Sequence, residues 1–511
     1  MTIFRYFLFA LLISVAIPTK GRSSNQPGSG VLSPTKQLEI LSDFRDFLAL
    51  PNVATSNEDM LVNAHWITSY IGKRGFTSQI VSAGGAPYVL AEKKTQGATK
   101  TIVIYAHFDG QPVAPENWAS PPFEPILRTA SIEEGGEPLP WPTAETMLDP
   151  NWRIFARSAG DDKAPVIALM AAIDSLEAAG KALSVNIKLI LDGEEEAGSP
   201  SLDGILHAHA AWLKADLMLF CDGPMHQSRK RQLVFGVRGS MTLELTTYGP
   251  LRPLHSGHYG NWAPNPTDRL MKLLVSLKDD NGRITVPGYH DQIPPITETE
   301  LQAVAALPDI STSLAHELAL GATEGGGLRL EALMMEPAIV IKGFDGGGVG
   351  DKARNIIMPS ATASLNLRLA SGQTPAHVEK TLTTFFRNSG FHTTKDDPTP
   401  DLLRAHAKVL KTHWVTGGYG AFRSSLDSEP ARKLTSILNE LNGEKTLLMP
   451  TLGGSLPIYL FKQALPDMPI IILPIANHDN NQHGRNENLR LKNLWDAVEV
   501  YAAILAQYGR N

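Results

Sequence analysis

Val185-Asn186-Ile187-Lys188-Leu189-Ile190-Leu191 runs directly into Asp192-Gly193-Glu194-Glu195-Glu196-Ala197-Gly198-Ser199. The first half is an apolar run of β character, and the second is an acidic turn punctuated by Gly198 and Ser199. An isolated Glu-Glu-Glu is ordinarily a solvated surface feature. Here it falls where a buried strand ends. Crowded carboxylates stay charged more easily beside cations, so the stretch poses the question of a metal site.

Outward from it, strands and helices alternate. Strands are expected at Pro87–Ala91, Thr101–His107 and Leu217–Cys221, with helices at 163–180 and 201–214. Residues 37–50 and 57–74 carry helical periodicity, and 110–155 reads as loop. Apolar, non-alternating strands separated by helices predict a mostly parallel sheet covered on both faces, hence an α/β fold. The pattern then changes. Alternating strands at 232–237, 240–248, 338–343 and 361–369, with helices at 266–278, 298–306 and 375–388, predict helices packed on an antiparallel sheet. The α/β pattern returns with a helix at 428–441, a strand at Pro469–Leu473 and a helix at 490–507. The expected organisation is a first catalytic part at 30–236, an inserted α+β lid at 237–423 and a second catalytic part at 424–511.

With 511 residues, more than one domain is expected. The net charge of −6 offers no basic face for nucleic acid. A single cysteine, Cys221, excludes an internal disulfide framework and a cysteine zinc site. Arg5 and the apolar run Tyr6 to Pro18 predict a signal peptide over residues 1–22 and an exported protein, periplasmic or secreted. No other stretch is apolar enough to span a bilayer.

In an open parallel sheet, ligands collect beyond the carboxyl ends of the strands. Those ends carry His107-Phe108-Asp109, the acidic cluster, Asp222, and a loop with His478 and His483. Asp161-Asp162-Lys163 precedes the helix at 163. Histidines and carboxylates without thiol suit Zn²⁺, with Mn²⁺ or Co²⁺ as alternatives. The surplus of carboxylates over one ion's needs suggests two ions. A dinucleotide binder shares the fold class, but no Gly-x-Gly-x-x-Gly follows the first strand.

These motifs resemble the dinuclear zinc metallopeptidases of the carnosinase, nonspecific dipeptidase and aminoacylase family (clan MH). The resemblance is carried by His107-Phe108-Asp109-Gly110-Gln111-Pro112, Arg157 to Lys163, Glu195 to Ser199, Asp222, Leu254-His255-Ser256-Gly257, Gly453 to Pro457 and His483 to Glu487. It implies that Asp161 bridges two ions, with His107 and Asp222 completing one site and Glu196 and His483 the other. It also implies Asp109 as the orienter of His107, Glu195 as general base, and a cis bond at Asp161–Asp162. Glu194 is left as ordinary surface. His255, Arg368, Ser455 and Asn355 are the implied substrate contacts, His255 reaching across a homodimer formed through the lid. His258 and His478 match no ligand position. Ala156-Arg157-Ser158 and Ala164 depart from the family's glycine-richer loop, which alters loop freedom but no ligand. The implied activity is dipeptide hydrolysis by a metal-bridging hydroxide, of dipeptidase or carboxypeptidase type, on substrates with a free C-terminal carboxylate. The alternatives are removal of an acyl group from an amino acid on the same scaffold, and an inactive homologue that only binds. The latter is disfavoured because all five ligand positions and Glu195 are present.

Overall fold

In the computed structural model, which describes residues 32–441 and 443–510, the opening stretch becomes an inner strand of an eight-stranded sheet. The order is Thr77–Val81, Tyr88–Lys93, Val185–Asp192, Lys100–His107, Leu217–Phe220, Ile470–Ile472, Gln232–Val234 and Leu447–Met449. Val185–Asp192, Lys100–His107, Leu217–Phe220 and Ile470–Ile472 run parallel. The strand Tyr88–Lys93 is antiparallel to its neighbours, as is Gln232–Val234 to Ile470–Ile472. The sheet is therefore mixed, with a parallel centre.

Both faces are covered, which explains the lack of alternation in the central strands. Ile102 and Ile104 face a core shared with helices Pro34–Leu48, Ala164–Ala178, Glu429–Glu440 and Leu491–Gln507. Val103 and Tyr105 face the opposite core, with helices Leu202–Leu213 and Ile458–Ala464. Each fully buried aliphatic side chain contributes about 1.5–3 kcal/mol.

Register positions the site. His107 pairs with Asp192, and Tyr105 with Phe220, so three parallel strands end at one level. Whatever follows them emerges on a common rim.

The chain enters and leaves the lid through a short antiparallel pair, Gly236–Val237 with Phe422–Arg423. The lid sheet orders as Ala338–Asp345, Ser360–Leu369, Gly239–Tyr248, Val409–Trp414 and His392–Thr394. Gly239–Tyr248 and Ser360–Leu369 alternate strictly between buried and half-exposed residues. The buried face packs on helices Pro266–Val275 and Pro375–Asn388 through Leu270, Leu273, Val378, Leu382 and Phe386. Residues 297–336 fold back to the other domain, where Leu307 joins the core of Val103 and Tyr105 and Glu331 pairs with His226 at 3.3 Å, while Glu300 pairs with Arg423 of the crossing strand at 3.0 Å.

One expectation of the fold changes. The stretch 110–155 is not all loop: Ile126–Arg128, Pro138–Leu139 and Arg153–Phe155 form a four-stranded sheet with Asn488–Arg490. One edge of this sheet, Arg153–Phe155 with Asn488–Arg490, pairs across more than 300 residues, which local pattern does not record. The expected leader at 1–22 lies outside the described residues.

Candidate active site

His107 is the last residue of its strand and is buried. Its Nδ1 lies 3.2 Å from the Asp109 carbonyl oxygen and 3.3 Å from Asp109 Oδ1. That leaves Nε2 facing Asp161 Oδ1 at 2.8 Å and Asp222 Oδ2 at 3.9 Å. A histidine held at one nitrogen by a carboxylate has its other nitrogen set for a metal. Burial lowers the basicity of His107, but hydrogen bonds to Asp109 and Asp161 outweigh it and raise the imidazole well above its ordinary value.

Asp109 has a second task. Its two carboxylate oxygens accept the backbone N–H groups of Glu195 and Glu196, each at 3.0 Å. The acidic turn is thereby fastened to the His107 strand. Gly193 permits this approach, since a Cβ there would lie 2.2 Å from the Pro87 carbonyl oxygen.

The three glutamates then diverge. Glu194, expected at the surface, is instead 2% exposed. Its carboxylate accepts from Ala86 N at 3.0 Å, the Tyr88 hydroxyl at 3.0 Å and Ser201 N at 2.6 Å. The charge is used internally because the turn brings backbone donors around it, which a charge count in sequence does not reveal. Glu195 lines the cavity described below. Glu196 Oε2 lies 3.3 Å from His483 Nε2. Burial and repulsion from Asp222, Asp161 and Glu196 push the Glu195 carboxyl well up. Burial and the Asp161 charge push Glu196 up to about 8.

Asp161 sits between the two histidines. Oδ1 faces His107, and Oδ2 lies 3.1 Å from His483 Nε2. Burial raises the Asp161 carboxyl, but the hydrogen bonds from both histidines overcome this and hold it well below the usual range. The Asp161–Asp162 bond is cis, as the resemblance implied. The loop before it is held by Glu487, whose carboxylate accepts from Arg157 at 2.8 Å, Ser158 N at 3.0 Å, and Gly160 N and Asp161 N at 2.9 Å. His483 has a φ of 62° and a side chain 57% exposed.

Two groups of donors result. His107, Asp162 and Asp222 are all buried, and Asp161, Glu196 and His483 form the second group; within each, the donor atoms lie within 4.8 Å of one another. Asp162 is the addition to the expected set, its Oδ2 3.3 Å from the His107 backbone N. Burial pushes Asp222 up to about 7. Nitrogen and carboxylate donors, crowded and without thiol, fit two divalent cations.

A cavity of ≈ 610 Å³ opens over these groups. Asp161, Glu195, Asp222 and His483 form one wall, and Arg368, Tyr419 and Ser455 another. Arg368 Nη1 donates to Ser455 Oγ at 2.9 Å, and Ser455 Oγ donates to the Arg238 carbonyl at 2.8 Å. Tyr419, stacked on Tyr459 at 4.7 Å, escaped the sequence reading because its stretch looked only like a turn-rich linker. His255 and Asn355 are brought together elsewhere. His255 pairs with Ile356, and Ser256 N donates to the Asn355 carbonyl at 2.9 Å. Both are exposed, and neither lines this cavity. The His258 ring lies 4.5 Å from that of His255, tilted by 38°, and His478 stands apart from both groups, 4.0 Å from Asp479.

Among known proteins, Cys-Gly metallodipeptidase DUG1 of Saccharomyces cerevisiae is 25% identical over 437 residues, covering 83% of this chain and 82% of that protein. Beta-Ala-His dipeptidase of Homo sapiens is 24% identical over 435 residues, covering 83% and 78%. Among solved structures, the M20 family metallo-carboxypeptidase Sso-CP2 from Sulfolobus solfataricus superposes with a TM-score of 0.73 at 26% identity, covering 92% of this chain and 99% of that one. Human carnosine dipeptidase 1 gives 0.71 at 20% identity, covering 95% and 100%, and attests the fold.

The similarity to the Cys-Gly metallodipeptidases of two yeasts overturns the expectation of an exported protein. That expectation rested on Arg5, the length of the apolar run after it and the polar flank that follows. Residues 103–507 match Peptidase family M20/M25/M40. A match of that extent, over a rim of histidines and carboxylates, means that the chain belongs to this family of hydrolases and is a metallopeptidase.

Proposed function

We propose that the protein hydrolyses dipeptides carrying a free C-terminal carboxylate. The observation that supports this best is one cavity lined by Glu195, by Asp222 from one donor group and Asp161 and His483 from the other, and by Arg368 and Ser455. Relatives acting on Cys-Gly, Beta-Ala-His and cysteinylglycine S-conjugates point to the same substrate size. Arg368 forms no ion pair with a carboxylate among the described residues, so its planar fork is available for a substrate's terminal carboxylate.

In this reading His107 and Asp222, with Asp162 beside them, would hold one divalent cation, Glu196 and His483 would hold a second, and Asp161 would be the carboxylate they share. Zn²⁺, Mn²⁺ or Co²⁺ bound there supplies Lewis acidity and lowers the pKa of a coordinated water toward ~7. Asp109 keeps His107 oriented and keeps the 195–196 turn on the rim. Glu195 takes a proton from the attacking water and delivers it to the leaving amine. Its carboxylate has no hydrogen-bond partner among the described residues, which leaves it free for that exchange. Arg368 and Ser455 hold the far end of the substrate, placing the scissile carbonyl toward Glu195.

His255 and Asn355 act in this reading from a second copy, His255 stabilising the developing oxyanion. The edge strand Ala338–Asp345 supports such a dimer. It exposes Val340 (49%), Ile341 (47%) and Phe344 (42%), an apolar unpaired edge of the kind that proteins normally cover. Light scattering of the wild type and of Phe344→Lys tests it; a monomeric wild type removes His255 from the mechanism.

The activity is tested on protein loaded with Zn²⁺ or Mn²⁺, using dipeptides, N-acetyl amino acids and C-amidated dipeptides. Hydrolysis is expected for dipeptides with a free carboxylate. Equal cleavage of amidated dipeptides removes the carboxylate clamp, preference for N-acetyl amino acids makes the enzyme a deacylase, and no hydrolysis with either metal refutes the proposal.

A further inference from the structure

Two glutamines mark one donor group off from the other. Gln482 Nε2 donates to Asp161 Oδ2 at 2.6 Å, and Gln111 Nε2 donates to Glu196 Oε2 at 2.7 Å. These are the same two oxygens that face His483 Nε2, at 3.1 and 3.3 Å. The His107, Asp162 and Asp222 group has no glutamine amide on it among the described residues. A carboxylate only accepts hydrogen bonds, so both amides must present their N–H side to it.

We infer that Gln111 and Gln482 are positioning residues for the cation held by Asp161, Glu196 and His483, and that they make the two metal sites unequal. The inference rests on the two-metal reading above. An oxygen that ligates a cation with one lone pair and accepts an amide N–H with the other is fixed in rotation, so the amide defines where the cation sits. It also shares the oxygen's negative charge, so less of that charge reaches the cation. The His107 group is fully buried, and its Asp162 and Asp222 carboxylates accept backbone N–H groups, from His107 and Gly223, but no side-chain amide among the described residues. The His483 group has a ligand on an exposed left-handed loop and both carboxylates shared with neutral amides. Its cation is the more exchangeable of the two, and its binding depends on the glutamines. Gln482 also lines the substrate cavity, so the amide that positions this cation is in reach of an entering ligand.

The test is Zn²⁺ binding to the full-length metal-free protein by chelator competition, read as stoichiometry and as two separate affinities. Wild type is expected to take two equivalents with different affinities. Gln111→Ala and Gln482→Ala are each expected to weaken only the second equivalent, by about 10–100-fold, the effect typical of partners that orient metal ligands. Gln482→Leu, which keeps bulk but lacks the donor, should behave like Gln482→Ala. Both side chains are half-buried, so the melting temperature of the metal-free variants should match wild type and separates loss of positioning from loss of fold. Wild-type affinities in the variants, or equal weakening of both equivalents, overturn the inference while leaving the two-metal reading intact. Fewer than two equivalents in wild type refutes the two-metal reading itself.

Discussion

Glu194→Ala should separate structural from chemical roles within the acidic turn. The Glu194 carboxylate accepts three hydrogen bonds, from Ala86 N, the Tyr88 hydroxyl and Ser201 N, and is 2% exposed. Truncation leaves three donors without an acceptor. Each buried unsatisfied donor costs about 1–3 kcal/mol, giving about 3–9 kcal/mol in total. Water entering the vacated space recovers part of this, so a loss of about 3–5 kcal/mol is expected. Glu195→Gln removes no side-chain hydrogen bond seen among the described residues, and burial with the neighbouring carboxylates outweighs the attraction of His107 in disfavouring the Glu195 charge, so the metal-free protein should be as stable as wild type or more so. The assay is urea unfolding of metal-free protein, since bound metal would stabilise the native state by mass action. Trp495 and Trp66 belong to the main core and report its unfolding by fluorescence. A Glu194→Ala variant as stable as wild type would refute the assignment. So would a Glu194→Ala variant of normal stability that has lost metal, which would place the register one residue away.

Further outcomes follow from the same geometry. Glu195→Gln should keep both Zn²⁺ equivalents and lower kcat by about 10²–10⁴-fold, the usual range for a lost general base; metal analysis with steady-state kinetics checks it, and substantial residual turnover contradicts the role. Arg368→Ala should raise KM for free-carboxylate dipeptides by about 10–100-fold, the equivalent of one charge-assisted hydrogen-bonded contact, and leave C-amidated dipeptides unaffected. Asp479 is buried in part, which raises its carboxyl, yet Asn477, Arg153 and Arg490 hold it well below the usual range. A carboxylate depressed in the fold contributes stability above its unfolded pKa of about 4 that is lost as pH falls below it. Asp479→Asn should therefore lower stability at pH 7 and flatten the decline below pH ~4, measured as melting temperature against pH.

Much of this architecture is legible in the sequence because the physics that makes it is local. Buried parallel strands write themselves as apolar runs, and the lid helices at 298–306 and 375–388 lie where periodicity and their Thr297 and Thr374 caps put them. The rim follows from strand ends, which put His107, the acidic cluster, Asp222 and the loop with His478 and His483 at one level; choosing Asp161, Glu196 and His483 as ligands took the family resemblance. What is not legible depends on partners distant in the chain. Glu194 reads as surface until Ala86 and Tyr88 are folded against it. Glu487 stands in a motif, but its hold on the Ser158–Asp161 loop is a contact across about 330 residues. Gln482 and Tyr419 carry no distinguishing local signal. His255 and Asn355 illustrate a different gap, since their motifs do not say that the fold places them away from this cavity.

The short strand pair at Gly236–Val237 and Phe422–Arg423 has a consequence for how such a protein changes over time. The two crossings are neighbours in one ladder, so the points where the lid begins and ends are a strand spacing apart, about 5 Å. Every candidate metal donor and Glu195 lie before the first crossing or after the second, while Arg368 and Tyr419 lie between them. The lid is thus a cassette whose two splice points already meet. A lineage could exchange it, with Glu331 kept to fasten it to His226, and acquire a new substrate preference without disturbing a single metal donor.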